Sequence, residues 1–243
     1  MKVLLTRPLA QVKTLESLVN NNGHQSLLFP TLEVQAVDAI PQRDQYDAVI
    51  FISANAVEYG MKILAEIRYS KIFTVGIATA KKLNSYGITV DDFPKHKPSS
   101  EALLALDSVA KLQKKNILIF RGKGGRETLR IGLEKTDNRV EYVEVYDRVI
   151  CAITLRHKKS LQEFLTTDQG IISVTSNENL DGLIALANQL EGLEQLKTYP
   201  LVVLSKRIQD YALSLGFLRV LITPDISDQA IVTVLVNMDT LDN

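Results

Sequence analysis

Val49-Ile50-Phe51-Ile52-Ser53, followed at once by an amphipathic stretch from Ala54 to Ile67, is the segment from which the fold can be read. A short β-branched run that ends on a small hydroxylated residue and leads straight into helical periodicity is one half of a βαβ unit. The same alternation recurs outward in both directions: Val3 to Thr6 before Leu9 to Asn20, Ile72 to Val75 before Ile77 to Tyr86, then runs at Ile117 to Phe120, Ile171 to Val174, Leu201 to Leu204 and Val220 to Ile222, each followed by a helical pattern. Strands alternating with helices form parallel sheets covered on both faces, so the chain is α/β. It is also duplicated. Val3-Leu4-Leu5-Thr6-Arg7 returns as Ile117-Leu118-Ile119-Phe120-Arg121, 114 residues on, and Val49 to Ser53 returns as Ile172 to Ser176 at 123. Val75 to Gly87 matches Leu204 to Gly216 at 129, and Ser99-Ser100-Glu101-Ala102 resembles Ser227-Asp228-Gln229-Ala230 at 128. Any one of these matches is weak, but four in the same order at nearly constant offset make two similar lobes the expectation.

Two extended segments set the boundary between the lobes. Phe29 to Val37 reads as strand, and Arg139 to Ile153 is a long β-prone run with no helical signal. Together they are expected to form a two-stranded ladder joining the lobes, which makes residues 1–35 with 150–243 a discontinuous lobe and 36–149 a continuous one.

Composition narrows the function. The 243 residues carry 28 Lys plus Arg against 28 Asp plus Glu, so no net charge draws the chain to nucleic acid or an acidic membrane. A single cysteine, Cys151, rules out an internal disulfide, and His24, His96 and His157 lack any zinc-binding spacing, so no metal is expected. The alternating start Lys2-Val3-Leu4-Leu5-Thr6 differs from a secretory leader, and no run approaches roughly 18 apolar residues; a cytoplasmic protein is the expectation.

Ligands of open parallel sheets bind beyond the carboxyl ends of the strands, where helices begin. The residues there are small, hydroxylated or basic: Thr6 and Arg7, Ser53 and Asn55, Gly76 and Thr79, Arg121 with Gly122, Gly124 and Gly125, Thr175 and Ser176, Ser205 and Arg207. One such rim per lobe, facing across a hinge, would suit an anionic small molecule. Ordinary capping is the alternative for each hydroxyl, with Asn55/Glu58 and Thr175/Glu178 at capping-box spacing and Gly87 and Gly216 as C-cap glycines. Arg121-Gly122-Lys123-Gly124-Gly125-Arg126 fits neither nucleotide-binding glycine motif; a local anion cradle, with Arg126 and Arg130 one helical turn apart, reads better. In the run from Val140 to Ile150, alternation sets Val143, Val145 and Val149 on one face and Tyr142, Glu144, Tyr146 and Arg148 on the other. Tyr146 could thus turn its hydroxyl toward a ligand as a proton donor, or simply pack its ring.

These stretches carry a family resemblance. Val3 to Pro8, Phe51-Ile52-Ser53-Ala54-Asn55-Ala56-Val57, Val75 to Ala80 with Gly87, Ser99 to Leu104, Ile119 to Gly122 with Gly125-Arg126-Glu127, Val145-Tyr146, Val174 to Ser176 and Ser205 together resemble the uroporphyrinogen-III synthase family over nearly the whole length. The resemblance implies a two-lobed α/β fold and a cofactor-free lyase of haem and tetrapyrrole biosynthesis. Such an enzyme cyclises hydroxymethylbilane, with loss of water and inversion of the terminal ring D, to uroporphyrinogen III. It implies Tyr146 as the catalytic proton donor and Ser53, Thr79 and Ser176 as substrate-binding residues, to which the strand-end rims add Arg7, Asn55, Arg121 and Ser205. After Leu204 some relatives carry a Gly-Pro-Thr-Thr-like turn where this chain has Ser205-Lys206-Arg207-Ile208, so Ser205 or Arg207 would substitute there. The expected partner is hydroxymethylbilane, free or passed from hydroxymethylbilane synthase, and the expected state is a monomer. The alternative is a non-catalytic two-lobed module that binds a tetrapyrrole or another polyanion.

Overall fold

The structure, a computed structural model, describes residues 1–241. In chain order the elements are β1 (Lys2–Leu5), α1 (Leu9–Asn21), β2 (Gln25–Leu28), β3 (Leu32–Ala36), β4 (Gln45–Phe51), α2 (Ala54–Glu66), β5 (Arg68–Thr74) and α3 (Ile77–Ser85). There follow α4 (Ser100–Leu104), α5 (Asp107–Ala110), β6 (Asn116–Gly122), α6 (Thr128–Glu134), β7 (Arg139–Ile150), α7 (Leu155–Leu165) and β8 (Gly170–Val174). The last are α8 (Asn177–Gln189), α9 (Leu193–Leu196), β9 (Leu201–Val203), α10 (Lys206–Ser214), β10 (Val220–Ile222) and α11 (Asp228–Leu241).

Two compact units result, one made of Met1–Glu33 and the chain from Val149 on, the other of Val34–Arg148. The first holds a sheet in the order β10-β9-β8-β1-β2, parallel at every pairing. Its inner strands are largely apolar because both faces are covered: Leu4, Ile172 and Val174 join one cluster, and Val3, Leu5 and Ile171 join the other. The second unit holds β3-β7-β6-β4-β5, with β7, β6, β4 and β5 parallel. Here Val49, Phe51, Leu118 and Phe120 face one cluster, while Ala48, Ile50, Ile117 and Ile119 face the other. Each buried Val, Leu, Ile or Phe among them contributes about 1.5–3 kcal/mol. Phe51 and Phe120, register partners on β4 and β6, stack at 4.2 Å. Gly60 lets α2 approach them, since a Cβ there would lie 2.6 Å from the Phe120 ring.

The edge strand β3 runs antiparallel to β7. Val37 N–H donates to Val145 O at 3.0 Å, and beside it Cys151 N–H donates to Thr31 O at 3.1 Å, a pairing of constant residue-number sum. The chain changes unit twice, once within each of these two strands.

The repeats seen in the sequence are repeats of topology. With β8, β9 and β1 standing for β4, β5 and β6, both sheets run in the same order, and even the isolated bridge Phe73–Asp92 reproduces the pair Val202–Leu221 of β9 and β10. Gly87 and Gly216 follow α3 and α10 with φ of +77° and +90°, the left-handed conformation that terminates a helix and favours glycine. β2 carries no signal beyond its four residues and was not expected from the sequence; it is set by pairing with β1.

Candidate functional site

The strand ends of the unit Val34–Arg148 bring two of the expected residues together. Ser53 follows β4 and caps α2, its Oγ accepting from Ala56 N–H at 3.0 Å. The same Oγ lies 3.1 Å from the Tyr146 Oη, and the Arg148 guanidinium lies 3.5 Å from that oxygen. The capping residue is therefore Ser53, not Asn55, which sits half-buried in the first turn of α2.

Tyr146 does not share a polar face with Glu144. β7 slips register against β6, pairing Arg121 with Glu144 and Gly122 with Tyr146, so that Val145 is an extra residue and the alternation reverses after it. The Tyr146 ring, 2% exposed, consequently packs in the same cluster as Val143 and Val145, with Tyr59 at 6.1 Å. Only its hydroxyl reaches the rim, between half-buried Ser53 and exposed Arg148. Gly122 makes room for the ring: a Cβ there would lie 2.5 Å from it.

The glycine-rich segment after β6 is wrapped around Arg121. That guanidinium is 3% exposed; it donates to Gly122 O and to Glu127 at 3.1 Å and stacks on Tyr142 at 4.3 Å. Gly125, at φ +103°, passes so close that a Cβ would meet Arg121 Nη2 at 2.7 Å. Gly124 N–H is taken by the Glu144 carboxylate at 3.0 Å. The expected cradle of Arg126 and Arg130 on one helix is absent, because α6 begins only at Thr128. Arg130 instead stacks on Tyr142 at 4.1 Å, and exposed Arg126 faces Glu101 at 3.6 Å.

Above these residues lies a cavity of about 220 Å³, whose polar lining is Ser99, Ser100, Arg121, Arg126 and Tyr142 over a floor that includes Ile52, Val75 and Ile119. The Tyr142 hydroxyl has no hydrogen-bond partner among the described residues, and burial, then the nearby Glu127 charge, hold its pKa above the usual phenol value. Thr79 is buried in the first turn of α3, behind Gly76, where a Cβ would strike Pro98 at 2.6 Å. A wider depression of about 590 Å³ lies at the opposite strand ends, around Gln42 to Asp47 with Asn116, away from the helix starts that favour anions.

In the other unit the corresponding residues are engaged with one another. Ser176 caps α8 through Asn179 N–H at 3.1 Å, displacing Thr175 from the capping role its spacing suggested. Asn179 ties Thr6 and Thr31 into a buried network: its Nδ2 donates to Thr6 O at 2.8 Å and to Thr31 Oγ1 at 2.5 Å, and Thr6 Oγ1 donates to Asn179 Oδ1 at 2.6 Å. Asn179 was not singled out in the sequence, although its place three residues after Ser176 is where a capping partner falls. Arg7 pairs with Asp228 at 2.6 Å, both largely buried. Ser205 precedes α10, half-buried, and makes no side-chain capping bond. Cys151 is no nucleophile, since burial and then Glu33 push its thiol up to about 11. Among the described residues no cluster of three or more His, Cys, Asp or Glu could hold a metal ion, and no helix is long and apolar enough to cross a membrane.

The fold is a pair of parallel α/β units whose strand ends carry hydroxyls, arginines and helix starts, groups with the chemistry to receive an anion. The chain belongs to the uroporphyrinogen-III synthase family: the family profile "Uroporphyrinogen-III synthase HemD" matches residues 13–233. Uroporphyrinogen-III synthase of Escherichia coli K12 is 27% identical over 97% of this chain and 100% of its own length, and the Salmonella typhimurium enzyme matches to the same extent. In fold the chain is similar to uroporphyrinogen-III synthetase of Helicobacter pylori, with a TM-score of 0.66 at 16% identity over 98% of this chain and 99% of that one. A mutant Thermus thermophilus uroporphyrinogen III synthase gives a TM-score of 0.53 at 15% identity, covering 99% of each chain. The chain is thus an enzyme of tetrapyrrole biosynthesis, a lyase, and the non-catalytic alternative falls away.

Proposed function

We propose that the substrate is hydroxymethylbilane and that Tyr146 protonates its departing hydroxyl. The observation that carries this reading is the Tyr146 hydroxyl at the strand-end rim, 3.1 Å from Ser53 at the start of α2 and 3.5 Å from Arg148. The Tyr146 proton goes to the hydroxymethyl oxygen, the C–O bond breaks with its electron pair leaving as water, and the pyrrole nitrogen supplies electrons to form the azafulvene. Ring D attacks the new methylene through its substituted α-carbon; the spiro intermediate reopens and recloses at the other α-carbon, and the proton lost there restores Tyr146. Hydroxymethylbilane is thereby converted to uroporphyrinogen III and one water, with no redox step.

Binding then falls to the rims. The cavity beside Arg121 suits one carboxylate-bearing pyrrole substituent, with exposed Arg126 able to exchange Glu101 for it, since an exposed pair at 3.6 Å holds weakly. Ser205, Asn55 and backbone N–H groups around Thr79 and Ser176 would receive others, whereas Arg7 and Arg121, already paired, act by shaping the rims. The same reading has the protein working as a cytoplasmic monomer on substrate taken up free or handed over by hydroxymethylbilane synthase. Incubation of the purified protein with hydroxymethylbilane tests it: the type III isomer should form faster than spontaneous closure, and type I alone would refute the proposal.

A further inference from the structure

We infer that Ser53 is a positioning residue that fixes the direction of the Tyr146 proton, leaving that proton free for the substrate; this rests on the reading of Tyr146 as the proton donor. Three facts favour this direction. Ser53 Oγ accepts from Ala56 N–H, its own proton points away from that amide, and Tyr146 Oη, 3.1 Å away, is the side-chain oxygen paired with it among the described residues. Arg148 has donors only, so its approach to Tyr146 Oη at 3.5 Å favours an oxygen that accepts. Ser53 stands at the N-terminus of a 13-residue helix, where the partial positive charge favours electron density flowing toward Ala56 N–H. The chain Ala56 N–H to Ser53 O–H to Tyr146 O–H runs head to tail, and each link strengthens the next as a donor.

The duplicated unit supplies the contrast. Ser176 stands for Ser53 and Asn179 for Ala56, and Thr31 lies beyond β2, its N–H donating to Thr6 O at 3.0 Å. There the amide of Asn179 engages Thr31: Thr31 Oγ1 accepts from Nδ2 at 2.5 Å and donates to the backbone Asn179 O at 3.0 Å, so the Thr31 proton is taken up within the network. With Ala56 in that place, the node around Tyr146 stays open at one proton.

The inference separates from simple capping by substitution. Ser53→Thr keeps both the cap and the donor. Ser53→Asp keeps the cap, which Asp makes as well as Ser, but its carboxylate only accepts, so Tyr146 must turn its proton inward. Melting temperature, kcat, KM and the pH profile are measured for both beside Tyr146→Phe. Ser53→Thr should stay near wild type, and Ser53→Asp should lose kcat by about 10²-fold or more, as deep as Tyr146→Phe, with its high-pH limb moved upward and its melting temperature kept. A Ser53→Asp enzyme with the kcat and pH profile of Ser53→Thr would overturn the inference while a slow Tyr146→Phe left the donor assignment standing. A Tyr146→Phe enzyme with wild-type kcat would overturn the donor assignment itself.

Discussion

At the scale of single residues, two side chains named together as substrate contacts have different work. Arg7 is fixed by Asp228 at 2.6 Å with both side chains mostly out of water, so it anchors the start of α11. A double-mutant cycle of Arg7→Ala and Asp228→Ala should return a coupling of about 1–2 kcal/mol in urea unfolding; a coupling near zero would free Arg7 for the substrate. Arg121 is likewise enclosed by Tyr142, Glu127 and the Gly124–Gly125 turn, and its loss should be felt first in stability. Residue types and strand ends were legible in the sequence, whereas partners were not. Arg7–Asp228 spans 221 positions, and no local pattern pairs them. Tyr146 was picked out by an alternation that the structure breaks: the extra residue Val145 sends its ring into the core and leaves only the hydroxyl at the rim.

At the scale of elements, the strand-to-helix junctions were readable because their physics is local. A hydrophobic run with both faces buried, a hydroxyl that caps, and a glycine that stops the helix each lie within a few residues. The capping position itself was misplaced by one or two residues at α2 and α8, since Ser53 and Ser176 compete there with Asn55 and Thr175 and only backbone geometry chooses. Ser176→Ala should cost about 1 kcal/mol, the usual worth of a cap. Asn179→Ala should cost more, about 2–3 kcal/mol, because Thr175 N–H loses its side-chain acceptor and Thr6 O and Thr31 Oγ1 lose the amide donor; equal losses in chemical denaturation would show that the network adds nothing. The register slip between β6 and β7 depends on Gly122. Gly122→Ala should displace the Tyr146 ring, destabilise by about 1–3 kcal/mol and lower kcat more than it raises KM.

At the scale of the molecule, the duplication read from four short matches extends to strand order, helix caps and an isolated bridge, because each unit must satisfy the same parallel-sheet packing. Zero net charge acquires a meaning under the proposed function: a substrate rich in carboxylates would be held by hydroxyls, amides and a few placed arginines rather than by a basic surface. The alkaline side of the stability curve follows from burial. Cys151, raised to about 11, and Tyr46, raised by burial and its bond to Glu141, are neutral in the fold at pH values where the unfolded chain ionises. The stability they contribute is complete below the unfolded thiol value of about 8.5 and is lost as pH rises toward 11. Urea midpoints should therefore fall across that window, and less steeply in Cys151→Ala; a flat profile would contradict the burial of both groups. The central claim is that the Tyr146 hydroxyl supplies the proton for the loss of water. Its most direct measurement is single-turnover conversion of hydroxymethylbilane by wild type and Tyr146→Phe of equal melting temperature. The expected result is type III product in both with a rate lower by about 10²-fold or more in the variant, and equal rates would contradict it.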